Sequence, residues 1–211
     1  MYATIIPACF SSPTFDHDRV LEDLKIMKTD RLLLPGFNYI HTDPEVMEPY
    51  YKKAAEEVRW FHERGIWVGI WFWSFIIQGK NDFTKMVDVT GYSEGDKGVM
   101  NDSTISHICP LDEDYIRFMQ AHVKRVASMH PDLILFDDDY SLGHHSGRPA
   151  QMCLCKHHLK RIGKILGEEP PKTEGLFETM FSGKPYRFRS AYMKGCGDCL
   201  VDFADRMREA V

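Results

Sequence analysis

Nowhere does the 211-residue chain hold an apolar run approaching the ~18 residues that a membrane helix needs. Its most apolar stretch, Ile66 to Ile77, is too short and is broken by Ser74. Positive charge is not in excess either: 26 Lys and Arg stand against 31 Asp and Glu, a net charge of -5. Such a chain offers no basic field for gripping phosphate backbones, so neither a membrane nor a nucleic acid is the expected partner. Cysteine is sparse. Six residues are too few for a disulfide scaffold at this length, and a reducing compartment would keep most of them as thiols. The opening MYATIIPACF lacks the charged start and long apolar run of a secretory signal, and a cytoplasmic location is expected. No internal repeat at 20 to 50 residues is visible.

What is there is the composition of a packed globular protein, 44% hydrophobic and 27% charged. Short apolar runs alternate with amphipathic helical patterns. Thr4 to Cys9, Arg31 to Pro35, Ile66 to Phe75 and Leu133 to Phe136 read as four strands, the third almost wholly apolar, as expected of a strand covered on both faces. Helices are predicted after Asp16 or Asp18, from Val46 to Arg64 with a stop at Gly65, from Leu111 to His130, from Cys153 to Leu166 with a stop at Gly167, and over Arg187 to Arg208. Ile76 to Pro110 has no sustained periodicity and is far longer than an ordinary βα connection, so it reads as a functional loop.

Four βα units in a row imply an α/β fold with a parallel sheet. An open doubly wound sheet and the N-terminal half of a TIM-type (β/α)8 barrel compete. Cys9, Asn38, Trp73 and Asp137 to Tyr140 all fall at the carboxyl ends of strands, where barrel active sites are built, and this favours the half barrel. A full barrel needs about 250 residues. Residues 1–211 are therefore expected to form a partial barrel of about four βα units, a fragment of a longer chain.

Two constellations could carry chemistry. In the first, Cys153-x-Cys155-x-x-His158 follows Cys109 by 44 residues, and thiolates with an imidazole suit a structural zinc ion. His157, His107 and the pair His144-His145 are alternative fourth ligands. Cys196-x-x-Cys199 lies mid-helix with no matching pair and reads as packing thiols. The second is Asp137-Asp138-Asp139-Tyr140, directly after a buried strand. Adjacent carboxylates repel, so their clustering asks for a metal ion, a hydrogen-bond network or a raised pKa. An active-site acid, a cation or nucleotide site and a structural turn are the three readings. Asn38 and His41 after the second strand, and Trp73 after the third, would face a barrel mouth, Trp73 offering a sugar ring a stacking surface. The grouping of Trp60, Trp67, Trp71 and Trp73 suits such a wall or plain core packing.

These segments resemble the family 42 β-galactosidases among the retaining (β/α)8 glycoside hydrolases. That family ends its fourth strand with Asp-Asn-Glu-Tyr and follows it with a Cys-x-Cys-x-x-Cys zinc cluster whose first cysteine lies upstream. Asp137 to Tyr140 align with the first motif. Cys109, Cys153 and Cys155 align with three zinc ligands, and His158 stands where the family has its fourth. The resemblance implies that Asp139 is the general acid/base, that Asp138 touches the sugar, and that the zinc is structural. Asp139 is one methylene shorter than the family's glutamate, and the family's nucleophile has no match in this chain. The expectation is a glycoside hydrolase-like protein acting on a β-linked saccharide, with Asp138, Asn38 and Trp73 binding substrate. The alternative is a non-catalytic half barrel that binds a saccharide or assembles. Unpaired outer strands predict self-association or further sequence.

Overall fold

The computed structural model describes residues 6–37, 40–72, 75–87, 106–137, 140, 142, 153–169 and 187–211. Its elements in chain order begin with β1 (Ile6–Pro7), α1 (His17–Met27), β2 (Arg31–Phe37), β3 (Ile40–His41), α2 (Pro44–His62) and β4 (Trp67–Phe72). There follow β5 (Ile76–Gln78), β6 (Ser106–His107), α3 (Glu113–Ala127), β7 (Leu133–Phe136), α4 (Lys156–Leu166) and α5 (Arg187–Arg208). The fold is α/β.

Four strands form one wholly parallel sheet in the order β1-β2-β4-β7. These are the four predicted strands, and they stand side by side in chain order, with no reversal that would create a switch point. The third strand is shorter than predicted, ending at Phe72, and Trp73 and Ser74 lie outside the described residues. A second sheet, β3-β5-β6, was not predicted: β3 runs parallel to β5 and β5 antiparallel to β6, extended by a bridge from Lys85 to Ile108. Its strands are two or three residues long, too short to carry a period. The stretch read as one long loop therefore contains sheet at both of its ends.

Local chemistry sets the helix boundaries. Asp16, Asp43 and Asp112 are N-caps whose carboxylates accept backbone N–H groups of the first turns. Gly65 and Gly167 adopt φ of 72° and 74° where the predicted stops fall. The fourth predicted helix begins three residues later than expected, because Cys155 is its N-cap and Cys153 precedes it.

The sheet's two faces differ. Leu32 and Leu34 on β2, Val68 and Ile70 on β4, and Ile134 on β7 point into the main core beneath the helices. Alternation sends Leu33, Trp67, Trp71, Leu133 and Leu135 to the other face, and none of these five joins that core. Phe203 of α5 locks the helical layer, with its ring 5.0 Å from Phe75, 5.9 Å from Tyr115 and 6.4 Å from Phe136. Tyr140, just past β7, donates its hydroxyl to the Leu200 carbonyl. No helix among the described residues is long and apolar enough to cross a membrane.

Candidate metal centre

Cys109 lies two residues beyond β6 and three before the N-cap of α3, so two elements fix it. The N–H of Ile108 donates to the Phe75 carbonyl at 2.8 Å, that of Cys109 to the Thr84 carbonyl at 2.8 Å, and that of Asp112 to the Cys109 carbonyl at 3.0 Å. Asp112 holds the same corner from the other side. One carboxylate oxygen accepts from Asp114 and Tyr115, both at 3.0 Å, and the other accepts from the Thr84 N–H at 2.9 Å. Burial opposes its charge, but these hydrogen bonds prevail and hold its carboxyl below the usual range.

The remaining ligands arrive on the start of α4. The Leu154 N–H donates to the Val87 carbonyl at 2.6 Å, pinning Cys153 and Cys155 beside the segment that carries Thr84. Cys155 caps α4 without a side-chain hydrogen bond to its backbone. His158, three residues on, shares its helix face.

All four side chains are buried: Cys109 and His158 are 0% exposed, Cys153 1% and Cys155 4%. Cys109 Sγ is 3.3 Å from His158 Nδ1 and 3.4 Å from Cys155 Sγ, and Cys155 Sγ is 3.6 Å from the same nitrogen. The four donor atoms lie within 4.8 Å of one another. Tetrahedral coordination with metal–sulfur bonds of about 2.3 Å and metal–nitrogen bonds of about 2.0 Å would space them by roughly 3.5–3.8 Å. The group fits a metal ion, and its donors, sulfur and imidazole without carboxylate, suit a soft or borderline one. Four protein ligands close the site, as in structural rather than catalytic centres.

Electrostatics points the same way. Burial pushes the Cys109 and Cys153 thiols up, whereas hydrogen bonds from these two pull Cys155 down. A pocket that accepts one thiolate but penalises two more needs a cation before all three ionise. His158 Nε2 is buried without a partner among the described residues.

The alternative ligands are not brought in. His157 turns away, its Nε2 lying 3.0 Å from Thr84 Oγ1, and His107 sits buried on β6 outside the group. His144 and His145 lie outside the described residues. Cys199 is fully buried in α5 as a packing thiol, and all six cysteines are free. His41 Nδ1 accepts the Asp43 N–H at 2.9 Å. Trp67 and Trp71 lie on the sheet face away from the main core, while Trp60 packs against that core.

Asn38, Trp73, Asp138 and Asp139, the predicted substrate and acid/base residues, lie outside the described residues. Asp137 is described, and its carbonyl accepts the Tyr140 N–H at 2.7 Å. Thr84, Val87 and Asp112 were missed as builders of the centre, because Thr84 and Val87 act through backbone carbonyls and Asp112 through a carboxylate that reaches the Thr84 N–H across 28 residues, which no local pattern announces.

No protein-family model matches the chain, and no curated protein is significantly similar to it.

Proposed function

We propose that this chain supplies the first four βα units of a glycoside hydrolase-type (β/α)8 barrel. In this reading the buried centre holds a structural zinc ion, and Asp139 serves as proton donor toward a β-linked saccharide. The observation that carries the reading is the convergence of Cys109, Cys153, Cys155 and His158. They are the residues aligned with the zinc ligands of the family that the sequence resembles; Cys153, Cys155 and His158 sit on the segment that follows the fourth parallel strand, and Cys109 lies upstream of it. The order β1-β2-β4-β7, identical to chain order, supports the barrel over a doubly wound sheet. Free thiols at every cysteine agree with a reducing compartment such as the cytoplasm.

The ion's contribution is to join the start of α3 to the start of α4. The acidic residues that follow β7 would then be tied, through Cys153, to a fixed anchor. Asp139 would hand its proton to the glycosidic oxygen as the carbon–oxygen bond breaks. It would recover one from the water that completes hydrolysis. The carboxylate facing the anomeric carbon has no counterpart among the residues that carry the resemblance.

Two measurements test this. Metal analysis of protein purified without chelators is expected to give one zinc per chain. Assay of an aryl β-galactoside with the protein at its natural length is expected to show hydrolysis that Asp139→Asn reduces at least a hundredfold, within the range of a lost general acid. Absence of metal would remove the zinc, and turnover unchanged by D139N would remove the acid.

A further inference from the structure

A divalent ion held by three thiolates and a neutral imidazole leaves one net negative charge in a site whose ligands are at most 4% exposed. Such a charge needs hydrogen-bond donors aimed at the sulfurs. The backbone N–H of Cys155 favours the Cys153 thiolate, and that of His158 favours the Cys155 thiolate. For Cys109 the leading influences, burial and then the two neighbouring sulfurs, all oppose ionisation. Its own N–H is spent on the Thr84 carbonyl. Cys109 is thus the ligand left in need of a donor.

Tyr115 is a donor in need of an acceptor. It is 0% exposed, and its hydroxyl is buried with no hydrogen-bond partner among the described residues. The corner that holds Cys109 also holds Tyr115, because Asp112 donates its N–H to the Cys109 carbonyl and accepts the Tyr115 N–H on its carboxylate. The tyrosine ring lies 5.6 Å from that of Phe83 and 5.9 Å from that of Phe203. Phe83 directly precedes the residue whose carbonyl carries Cys109, and Phe203 shares one core cluster with all three cysteine ligands. Burial, and after it the charge of Cys109, act on the hydroxyl and keep it protonated. A buried hydroxyl without an acceptor weakens the fold, whereas the same hydroxyl facing a thiolate is satisfied.

We infer that Tyr115 is a positioning residue of the metal centre, its hydroxyl donating to the Cys109 thiolate that the bound ion creates. One bond then meets an unmet donor and an uncompensated charge together, so the loaded centre gains what the empty one lacks. This role rests on the proposed metal centre and is independent of the saccharide chemistry.

Tyr115→Phe in the full chain tests it, with Tyr51→Phe as control, since the Tyr51 hydroxyl instead meets His122 Nδ1 at 2.6 Å. Titration of zinc against a chromophoric chelator is expected to show affinity about 10- to 100-fold weaker in Y115F, the range for a lost outer-shell partner, and unchanged in Y51F. Melting of the metal-free proteins is expected to show Y115F at least as stable as wild type, because the substitution removes an unsatisfied group and keeps the ring. With cobalt(II) in place of zinc, the sulfur-to-metal charge-transfer band is expected to move to lower energy in Y115F, since a hydrogen bond to sulfur holds its electrons more tightly. Zinc affinity and a cobalt spectrum equal to those of wild type overturn the role of Tyr115 and leave the centre standing. Weaker affinity matched by an equal loss of metal-free stability also overturns it, as the mark of disturbed packing. A wild-type chain that binds neither ion overturns the metal centre itself, and Tyr115 with it.

Discussion

His158 Nδ1 and Cys109 Sγ lie 3.3 Å apart across 49 residues of sequence, both fully buried. A neutral imidazole and a thiol at this distance form a weak hydrogen bond, whereas two ligands of one ion hold the starts of α3 and α4 together strongly.

Exchange of single ligands separates these two cases. His158→Ala and Cys109→Ser are each expected to abolish stoichiometric metal binding and to lower Tm by on the order of 10 °C, equivalent to several kcal/mol for a chain of this size. His157→Ala, which loses only the contact with Thr84 Oγ1, is expected to retain the metal and nearly all of the stability. Metal analysis and thermal melting of the three variants check this.

Phe203 is 1% exposed and meets Phe75, Tyr115, Phe136 and Tyr140. Truncation to alanine opens a cavity where α5 docks, and Phe203→Ala is expected to cost about 3–5 kcal/mol. Urea unfolding with an unchanged m-value would report it.

Gly36 is held by contact rather than by backbone conformation. A Cβ there would come within 2.2 Å of the Phe10 ring, which is buried and packed edge-on against Phe37. Gly36→Ala is expected to destabilise by about 1–3 kcal/mol through overpacking, and Phe10→Leu in the same chain to recover part of that loss. Unfolding of the single and double variants measures the coupling.

His122 is buried between α2 and α3, with Nδ1 2.6 Å from the Tyr51 hydroxyl. Burial depresses its pKa to about 3. The unfolded chain, with an ordinary histidine near 6.5, then binds the proton that the folded one refuses. Stability is complete above about pH 6.5 and falls between there and pH 3, at most by about 1.4 kcal/mol per pH unit. Asp112, held low in the fold, loses its contribution only as pH falls through the unfolded carboxylate value near 3.9, so the range above about pH 4.5 reports on His122. His122→Gln is expected to flatten the slope of Tm against pH between 6.5 and 4.5, and an unchanged slope would show that another group carries it.

The helices and the strands of the parallel sheet were legible because their segments carry a helical period or an apolar run of strand length. Asp16, Asp43 and Asp112 stand where caps are needed, Gly65 and Gly167 where helices must turn back, and Arg31 to Pro35 and Leu133 to Phe136 are apolar runs of strand length. The small sheet was not legible. Ile40 and Ile77, or Ile77 and Ser106, are paired by neighbours far along the chain, and two-residue strands show no alternation to read.

Residue type and spacing alone determined the chemistry of the donor set, since Cys153 and Cys155 with Cys109 upstream and a histidine nearby could supply soft ligands. Tertiary structure alone decided that His158 and not His157 or His107 completes the group. Neighbouring histidines on a helix differ by about 100° in direction, and which one faces Cys109 depends on how α4 is seated. That seating comes from long-range hydrogen bonds, Leu154 to Val87 and Cys109 to Thr84, whose partners no local pattern can name.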